Sequence, residues 1–235
     1  MNKIDILAGD LDNIVSTSKD YLKTYVLEKN GIKLRQFYGA TYTLALFHGA
    51  EDYYALRKIL LKQYSGMDKS NPEFHWEFNN YALQEISIAN ASAGIDDVEV
   101  DELLLPLQFK GTPCTNWTLL RCLVKLRNGD MSPIIACKEK LHAMQGVNGL
   151  IMDDKGVKSF QYHCFSTALV YEIYESTKDA YFLNVFKNAV VFIRNFILPS
   201  GETLIIGRGQ NQSFGYGSLV FVLCKYLQYL SLIHI

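Results

Sequence analysis

Two clusters of polar side chains in the second half of the chain are the residues best suited to chemistry. Residues 159–166 read Ser-Phe-Gln-Tyr-His-Cys-Phe-Ser, and residues 207–217 read Gly-Arg-Gly-Gln-Asn-Gln-Ser-Phe-Gly-Tyr-Gly. The second cluster sets amide, guanidinium and phenol groups among four glycines, which let backbone and side chains approach a ligand closely. These groups suit a sugar or a carboxylate, so we interpret the two clusters as lining one polar pocket.

Charge and composition limit what such a pocket belongs to. The 235 residues include 23 Lys and Arg against 24 Asp and Glu, a formal net charge of -1. This balance gives no overall field to attract nucleic acid or an anionic membrane, and neither partner is expected. A hydrophobic content of 49% predicts a globular protein with a large core.

Cysteine and histidine usage argues against metal and cofactor sites. The five cysteines include no Cys-x-x-Cys pair, the five histidines are scattered, and no glycine-rich phosphate loop is present. We therefore predict neither a metal nor a cofactor.

Asp5 and Asp10 interrupt the segment where a secretory signal needs apolar residues, and no apolar run approaches the ~20 residues of a membrane span. These features predict a soluble, cytoplasmic protein.

Apolar residues recur at three- and four-residue spacing in most of the chain, and alternating strand patterns are scarce. This periodicity predicts an all-α fold of about nine or ten helices, with Asp179 as one N-cap. The predicted helical segments are 41–47, 53–64, 74–88, 117–126, 134–144, 165–174, 181–197 and 219–230. The pattern continues into the last residues, 226–235, which indicates a truncated reading frame.

A faint internal repeat suggests how the helices are arranged. Residues 52–56 and 179–183 share the pattern Asp-x-Tyr-x-Leu, each after an apolar helix and a short turn. Repeated helical hairpins bury a continuous core by stacking on their neighbours, in a solenoid or in a ring. We favour a ring or part of one; the alternative is two unrelated amphipathic helices with similar caps.

Three short segments resemble a known family. Residues 115–117 read Thr-Asn-Trp, residues 153–166 end with the Ser-Phe-Gln-Tyr-His cluster, and residues 207–209 read Gly-Arg-Gly. In this order they resemble motifs of the polysaccharide lyases of chondroitin, hyaluronan and alginate type. The resemblance covers roughly residues 110 to 220. It implies an (α/α) toroid of stacked antiparallel helix hairpins, here a single and incomplete domain spanning residues 1–235, and an acidic oligo- or polysaccharide as partner.

The chain departs from the family pattern at two places. The resemblance implies a catalytic tyrosine nine residues after the histidine, where this chain has Glu172. The arginine loop contains Arg208 alone, where the family often has two arginines.

The resemblance implies an enzyme that cleaves uronate-containing glycans by β-elimination. The chemistry of this reaction indicates roles for individual residues. The carboxylate must be neutralised before the neighbouring proton is removed, and Asn116 and Arg208 are suited to this. His163 is the candidate base. Tyr216, in the same loop as Arg208, or Tyr171, closer to the family position, is the candidate acid.

Further polar and aromatic residues are candidates for substrate binding. The helix that begins near residue 75 would present a polar and aromatic surface to a sugar, although its amides would equally suit the solvent side of an amphipathic helix. His163 could likewise be a buried histidine bonded to backbone, and the 207–217 loop could be purely structural. The predicted substrate-binding residues are His75, Trp76, Asn79, Asn80, Trp117, Gln161, Gln210, Asn211 and Gln212.

Two other functions remain open from the sequence. One is a toroidal glycoside hydrolase that uses a carboxylate pair drawn from Glu77, Asp153 and Asp154. The other is a glycan-binding or scaffold protein without turnover.

Overall fold

The computed structural model describes residues 3–31, 45, 47–49, 52–70, 75–96, 98–103, 114–200, 202–204, 206–208 and 214–233. The described residues are helical apart from turns and four isolated β-bridges, which confirms the predicted all-α class. The chain divides into two compact units, Met1–Pro106 and Leu107–Ile235. Each is described by itself.

The first unit contains four described helices: α1 (Lys3–Lys29), α2 (Tyr53–Ser65), α3 (Trp76–Ser92) and α4 (Val98–Glu102). Helix α2 buries Leu56, Leu60 and Tyr64, one turn apart, because this spacing lines one face of a helix. These side chains share a core with residues of the other helices. That core contains Val26, Phe47, Tyr53, Leu56, Leu60, Leu61, Tyr64, Leu83, Ile86 and Val100.

The second unit contains α5 (Thr115–Arg127), α6 (Ile134–Met144), α7 (Phe160–Thr177), α8 (Ala180–Arg194) and α9 (Phe214–Ile233). Helix α7 lies at its centre and packs against α5, α8 and α9. Its N-terminus is capped by Ser159, whose hydroxyl accepts the Tyr162 N–H. Helix α8 begins after Asp179, whose carboxylate accepts the Tyr181 N–H, as the sequence predicted. The second unit is therefore organised around α7.

Short bridged segments connect these helices and approach them closely. The loop between α6 and α7 contains the bridges Gln145↔Ile151 and Asp154↔Val157. At Gly149, with φ +90°, a Cβ atom would lie 2.1 Å from the Asn188 carbonyl oxygen of α8. Only glycine fits this contact without displacement. The loop is therefore fixed against α8.

Within the described ranges, no helix is both long enough and apolar enough to span a membrane.

Candidate functional site

The backbone of Asp153 is fixed by the start of α5. The Thr115 N–H donates to the Asp153 carbonyl at 2.6 Å, and the Thr115 hydroxyl donates to the Met152 carbonyl at 2.7 Å. The Asp153 N–H donates to the Val157 carbonyl at 3.1 Å within its own loop. Because these bonds satisfy groups that a helix start leaves open, they hold the loop and α5 together.

The backbone of Arg208 is fixed by the start of α7. Ser159 and Gly207 form an antiparallel bridge, and the Ser159 hydroxyl donates to the Arg208 carbonyl at 2.6 Å. Gly207 has φ +87°, and a Cβ there would lie 2.5 Å from the Lys158 carbonyl oxygen. The close approach therefore requires glycine. One hydroxyl, that of Ser159, both caps α7 and orients the arginine segment.

The side chains of Asn116, Asp153 and Arg208 meet at one carboxylate. The Asn116 amide donates to Asp153 Oδ1 at 3.0 Å, and Arg208 Nη1 donates to Asp153 Oδ2 at 2.9 Å. The Asp153 side chain is 2% exposed, whereas that of Arg208 is 58% exposed. The buried carboxylate thus holds one side of a guanidinium whose remainder faces solvent.

Burial raises the pKa of Asp153 above its usual range; the charge of Arg208 opposes this shift, Asp154 adds to it, and Lys140 opposes it weakly. The ion pair and the raised pKa are compatible because the carboxylate loses its water while the exposed arginine remains screened. The Asn116 amide oxygen is buried and has no hydrogen-bond partner among the described residues. Burying such an atom costs free energy, and it lies beside the carboxylate that holds Arg208.

Tyr162 lies against Arg208. The guanidinium carbon is 5.4 Å from the centre of the Tyr162 ring, within the range of a cation–π contact. Burial raises the pKa of Tyr162, Arg208 lowers it in part, and Asp153 and Cys114 raise it further. The phenol is therefore protonated at neutral pH. Sequence reasoning missed this residue, although it stands directly before His163.

His163 is placed differently from the prediction. Its ring is fully buried, Nδ1 accepts the Ile151 N–H at 3.0 Å, and Nε2 lies 3.2 Å from the Ala189 carbonyl oxygen, to which it donates. Desolvation lowers the pKa of His163 to about 4, with the bond to Ala189 opposing the shift. Both nitrogens are occupied by backbone, so neither can take a proton from a substrate. The prediction that His163 is the base is therefore corrected. Its ring instead links the 145–159 loop to α8.

Neither of the two tyrosines predicted as acids makes a ring contact with Arg208 among the described residues. Tyr171 packs on Phe186, with ring centres 4.8 Å apart, and is about 13 Å along α7 from Tyr162 at 1.5 Å per residue. Tyr216 is 48% exposed on the first turn of α9. Among the described residues it is Tyr162 whose ring contacts Arg208.

Position 172, where the family resemblance implies a tyrosine, has a structural role. Glu172 accepts from Arg127 Nη2 at 2.9 Å, and both side chains are largely buried. This ion pair joins α7 to α5. Removing the glutamate would leave the largely buried Arg127 without this charge partner.

Two neighbours of the site differ in exposure. Gln161 is fully buried, and a Cβ at Gly215 of α9 would lie 2.8 Å from its Cβ. Helix α9 therefore covers Gln161, which corrects its prediction as a substrate contact. Trp117 is half-buried on the first turn of α5.

The predicted polar surface of α3 is not open. Asn79 and Asn80 are buried, and their amides donate to the His75 and Trp76 carbonyls of their own helix. The Trp76 indole N–H donates to the Lys69 carbonyl at 2.9 Å, and His75 occupies the N-cap position with φ 51°. These polar groups are hydrogen-bonded to backbone carbonyls of the first unit. The prediction that they form a surface facing a sugar is therefore corrected.

The remaining predicted residues, Gln210, Asn211 and Gln212, lie outside the described part of the chain.

The arrangement is suited to holding an anion beside a phenol. Arg208 offers N–H donors that Asp153 does not use, and the ring of Tyr162, a protonated phenol, lies against its guanidinium. Among the residues that the structure describes, no group of three His, Cys, Asp or Glu side chains could hold a metal ion.

No protein-family model, curated protein or solved structure matches this chain.

Proposed function

We propose that the chain is a carbohydrate-active protein similar to polysaccharide lyases, which cleaves an acidic, uronate-containing glycan by β-elimination. One observation carries the proposal: a half-exposed guanidinium, Arg208, is fixed by the buried Asp153 and lies against the ring of Tyr162. An (α/α) toroid is part of the proposal. The packing of α7 against α5, α8 and α9 supports it, since stacked helices are the unit of such a ring.

Arg208 has the role of the carboxylate-binding group. A uronate carboxylate repels the negative charge that develops when the proton beside it leaves, and paired N–H donors reduce that cost. A guanidinium presents five N–H donors in a planar fork, and Asp153 accepts from only one nitrogen. Asn116, predicted to share this role, donates its amide to Asp153 and so acts as a positioning residue for Arg208.

Tyr162 replaces Tyr216 and Tyr171 as the proposed acid. When the C5 proton leaves, the C4–O bond breaks, a double bond forms between C4 and C5, and the departing oxygen takes a proton from the phenol. A phenol that burial keeps protonated is suited to this step. Asp154 is our candidate base in place of His163, because it directly follows Asp153 in the chain and is only half-buried.

The hydrolase alternative receives less support. It needs a carboxylate pair facing a sugar, but Asp153 is buried with one oxygen bonded to Asn116 and the other to Arg208. Glu77 is buried on α3 in the first unit. These environments fit carboxylates that stabilise structure.

The test is incubation of the protein with a panel of polyuronates and neutral glycans. We expect ultraviolet absorbance from the new double bond with at least one polyuronate and with none of the neutral glycans. Arg208→Gln should lower kcat/KM by roughly 10²-fold or more, since oxyanion-type stabilisation is of that size. Lys155→Gln, which removes an exposed cation from the same region, is the control.

Other outcomes distinguish the alternatives. Reducing ends without ultraviolet absorbance would show hydrolysis and refute elimination. Saturable binding of a polyuronate without any product would favour the glycan-binding alternative. Absence of both binding and product with every uronate would refute the proposal.

A further inference from the structure

A cavity in the second unit lies between the 145–159 loop, α8 and the segment around Ile206. It has a volume of about 270 Å³ and includes the backbone of Gly207, next to Arg208 in sequence. Its lining residues are Asn148, Leu150, Lys158, Ser159, Phe160, Phe192, Phe196, Ile206 and Gly207. None of the side chains proposed above for elimination lines it.

The inner surface of this cavity is built from three phenylalanine rings. Phe196 lies between the other two, with its ring centre 5.1 Å from that of Phe160 and 4.9 Å from that of Phe192. Behind them, the ring of the buried His163 meets Phe192 edge to face at 5.0 Å. The rings therefore have fixed positions and present a preformed aromatic surface, on which a further ring can pack edge-on or offset.

The polar groups of the lining are few, and most are already used. The Ser159 hydroxyl donates to the Arg208 backbone carbonyl and accepts from the Tyr162 backbone N–H. Asn148 Oδ1 accepts the Leu150 N–H at 3.2 Å. The exception is Lys158, an exposed lysine with no ion-pair partner among the described residues. No carboxylate lines the cavity within the described ranges. An apolar interior with a single cation at its edge is complementary to an apolar molecule with one negative charge.

We propose that this cavity binds a small aromatic monocarboxylate, with its ring among the phenylalanines and its carboxylate toward Lys158. The volume sets the size of the ligand. At about 30 Å³ for each water-sized group, 270 Å³ holds roughly nine such groups, close to one benzene ring with a short acid side chain. Phenylacetate is a suitable probe. The site does not depend on the proposed glycan activity, because the probe contains no sugar.

The experiment measures phenylacetate binding to the full chain by calorimetry and by ligand-observed NMR. We expect saturable binding with Kd on the order of 1 mM, as befits about ten non-hydrogen atoms at modest efficiency. Benzyl alcohol, which has the ring without the charge, and acetate, which has the charge without the ring, should both bind more weakly. Equal affinity for benzyl alcohol would refute the role of the charge.

Two variants locate the site. Lys158→Gln should raise Kd about two- to fivefold, the range of an exposed ion pair, while Lys155→Gln, an exposed lysine of the same loop, should leave Kd unchanged. Ile206→Asp places a negative charge at the edge of the cavity, on a side chain that is 52% exposed, and should raise Kd more than tenfold without loss of folding. Absence of saturable binding, or equal effects of the two lysine variants, would overturn the proposal.

Discussion

Replacing His163 by alanine distinguishes a structural histidine from a catalytic one. The variant leaves the Ile151 N–H and the Ala189 carbonyl buried without their partner. Each such group costs about 1–3 kcal/mol, so a loss of roughly 2–6 kcal/mol in the free energy of unfolding is expected. For a chain of this length that corresponds to a fall in Tm of roughly 5–20 °C. A catalytic base would instead leave Tm unchanged and lower turnover by about 10²–10⁴-fold.

The assay is thermal and urea unfolding, with His142→Ala as the matched control. His142 lies exposed on α6, so its removal should change Tm by little. If His163→Ala kept the wild-type Tm, the assignment of both ring nitrogens to backbone would be wrong.

The same residue predicts the direction of the pH dependence. The folded pKa of about 4 lies below the usual 6.5, so the unfolded chain takes up the proton first as pH falls. The stability contributed by neutral His163 is present above about pH 6.5 and is lost between about 6.5 and 4. At 1.36 kcal/mol per pH unit the loss is roughly 3 kcal/mol. Urea unfolding at pH 7 and pH 5 should show a steeper decline for wild type than for His163→Gln; equal slopes would contradict the account.

Two further changes test the contacts around Arg208. Asp153→Asn should change the free energy of unfolding by only about 1 kcal/mol, because burial already opposes the charge of the carboxylate. The same variant should bind polyuronate more weakly, because the ion pair to Arg208 is lost. Both quantities are measured on the same preparation, and unaltered affinity would contradict the positioning role. Gly207→Ala should lower the free energy of unfolding in urea by about 2–4 kcal/mol, since its Cβ would lie 2.5 Å from the Lys158 carbonyl oxygen. The control is Gly156→Ala, where φ is +76° but the space is open, and it should lower that free energy by only about 1 kcal/mol. Equal losses would show that backbone conformation alone decides the cost.

The helices and their buried faces could be predicted from the sequence, because apolar spacing is a local signal. The buried residues of α8, from Phe182 to Ile193, repeat at three and four positions, and the Asp179 cap precedes them. The partners of His163 could not be predicted in this way. The Ala189 carbonyl lies 26 residues away in sequence, and a histidine bonded to backbone has the same sequence as one that faces a substrate.

The arginine site was predicted in part. Asn116 and Arg208 do meet, but at Asp153, which is 37 residues from one and 55 from the other. Tyr162 was missed because neighbouring residues on a helix point about 100° apart at 3.6 residues per turn. With His163 facing the core, Tyr162 faces the arginine, and the polar composition of the cluster does not reveal this orientation.

The most direct test of the proposed activity is the rate of β-elimination in Tyr162→Phe compared with Tyr216→Phe. Each variant removes one hydroxyl, but only the Tyr162 ring lies against Arg208 among the described residues. On a polyuronate that the wild type cleaves, Tyr162→Phe should lower kcat by about 10²–10⁴-fold with Tm nearly unchanged, and Tyr216→Phe should keep near wild-type turnover. Full activity of Tyr162→Phe, or a loss confined to Tyr216→Phe, would contradict the account.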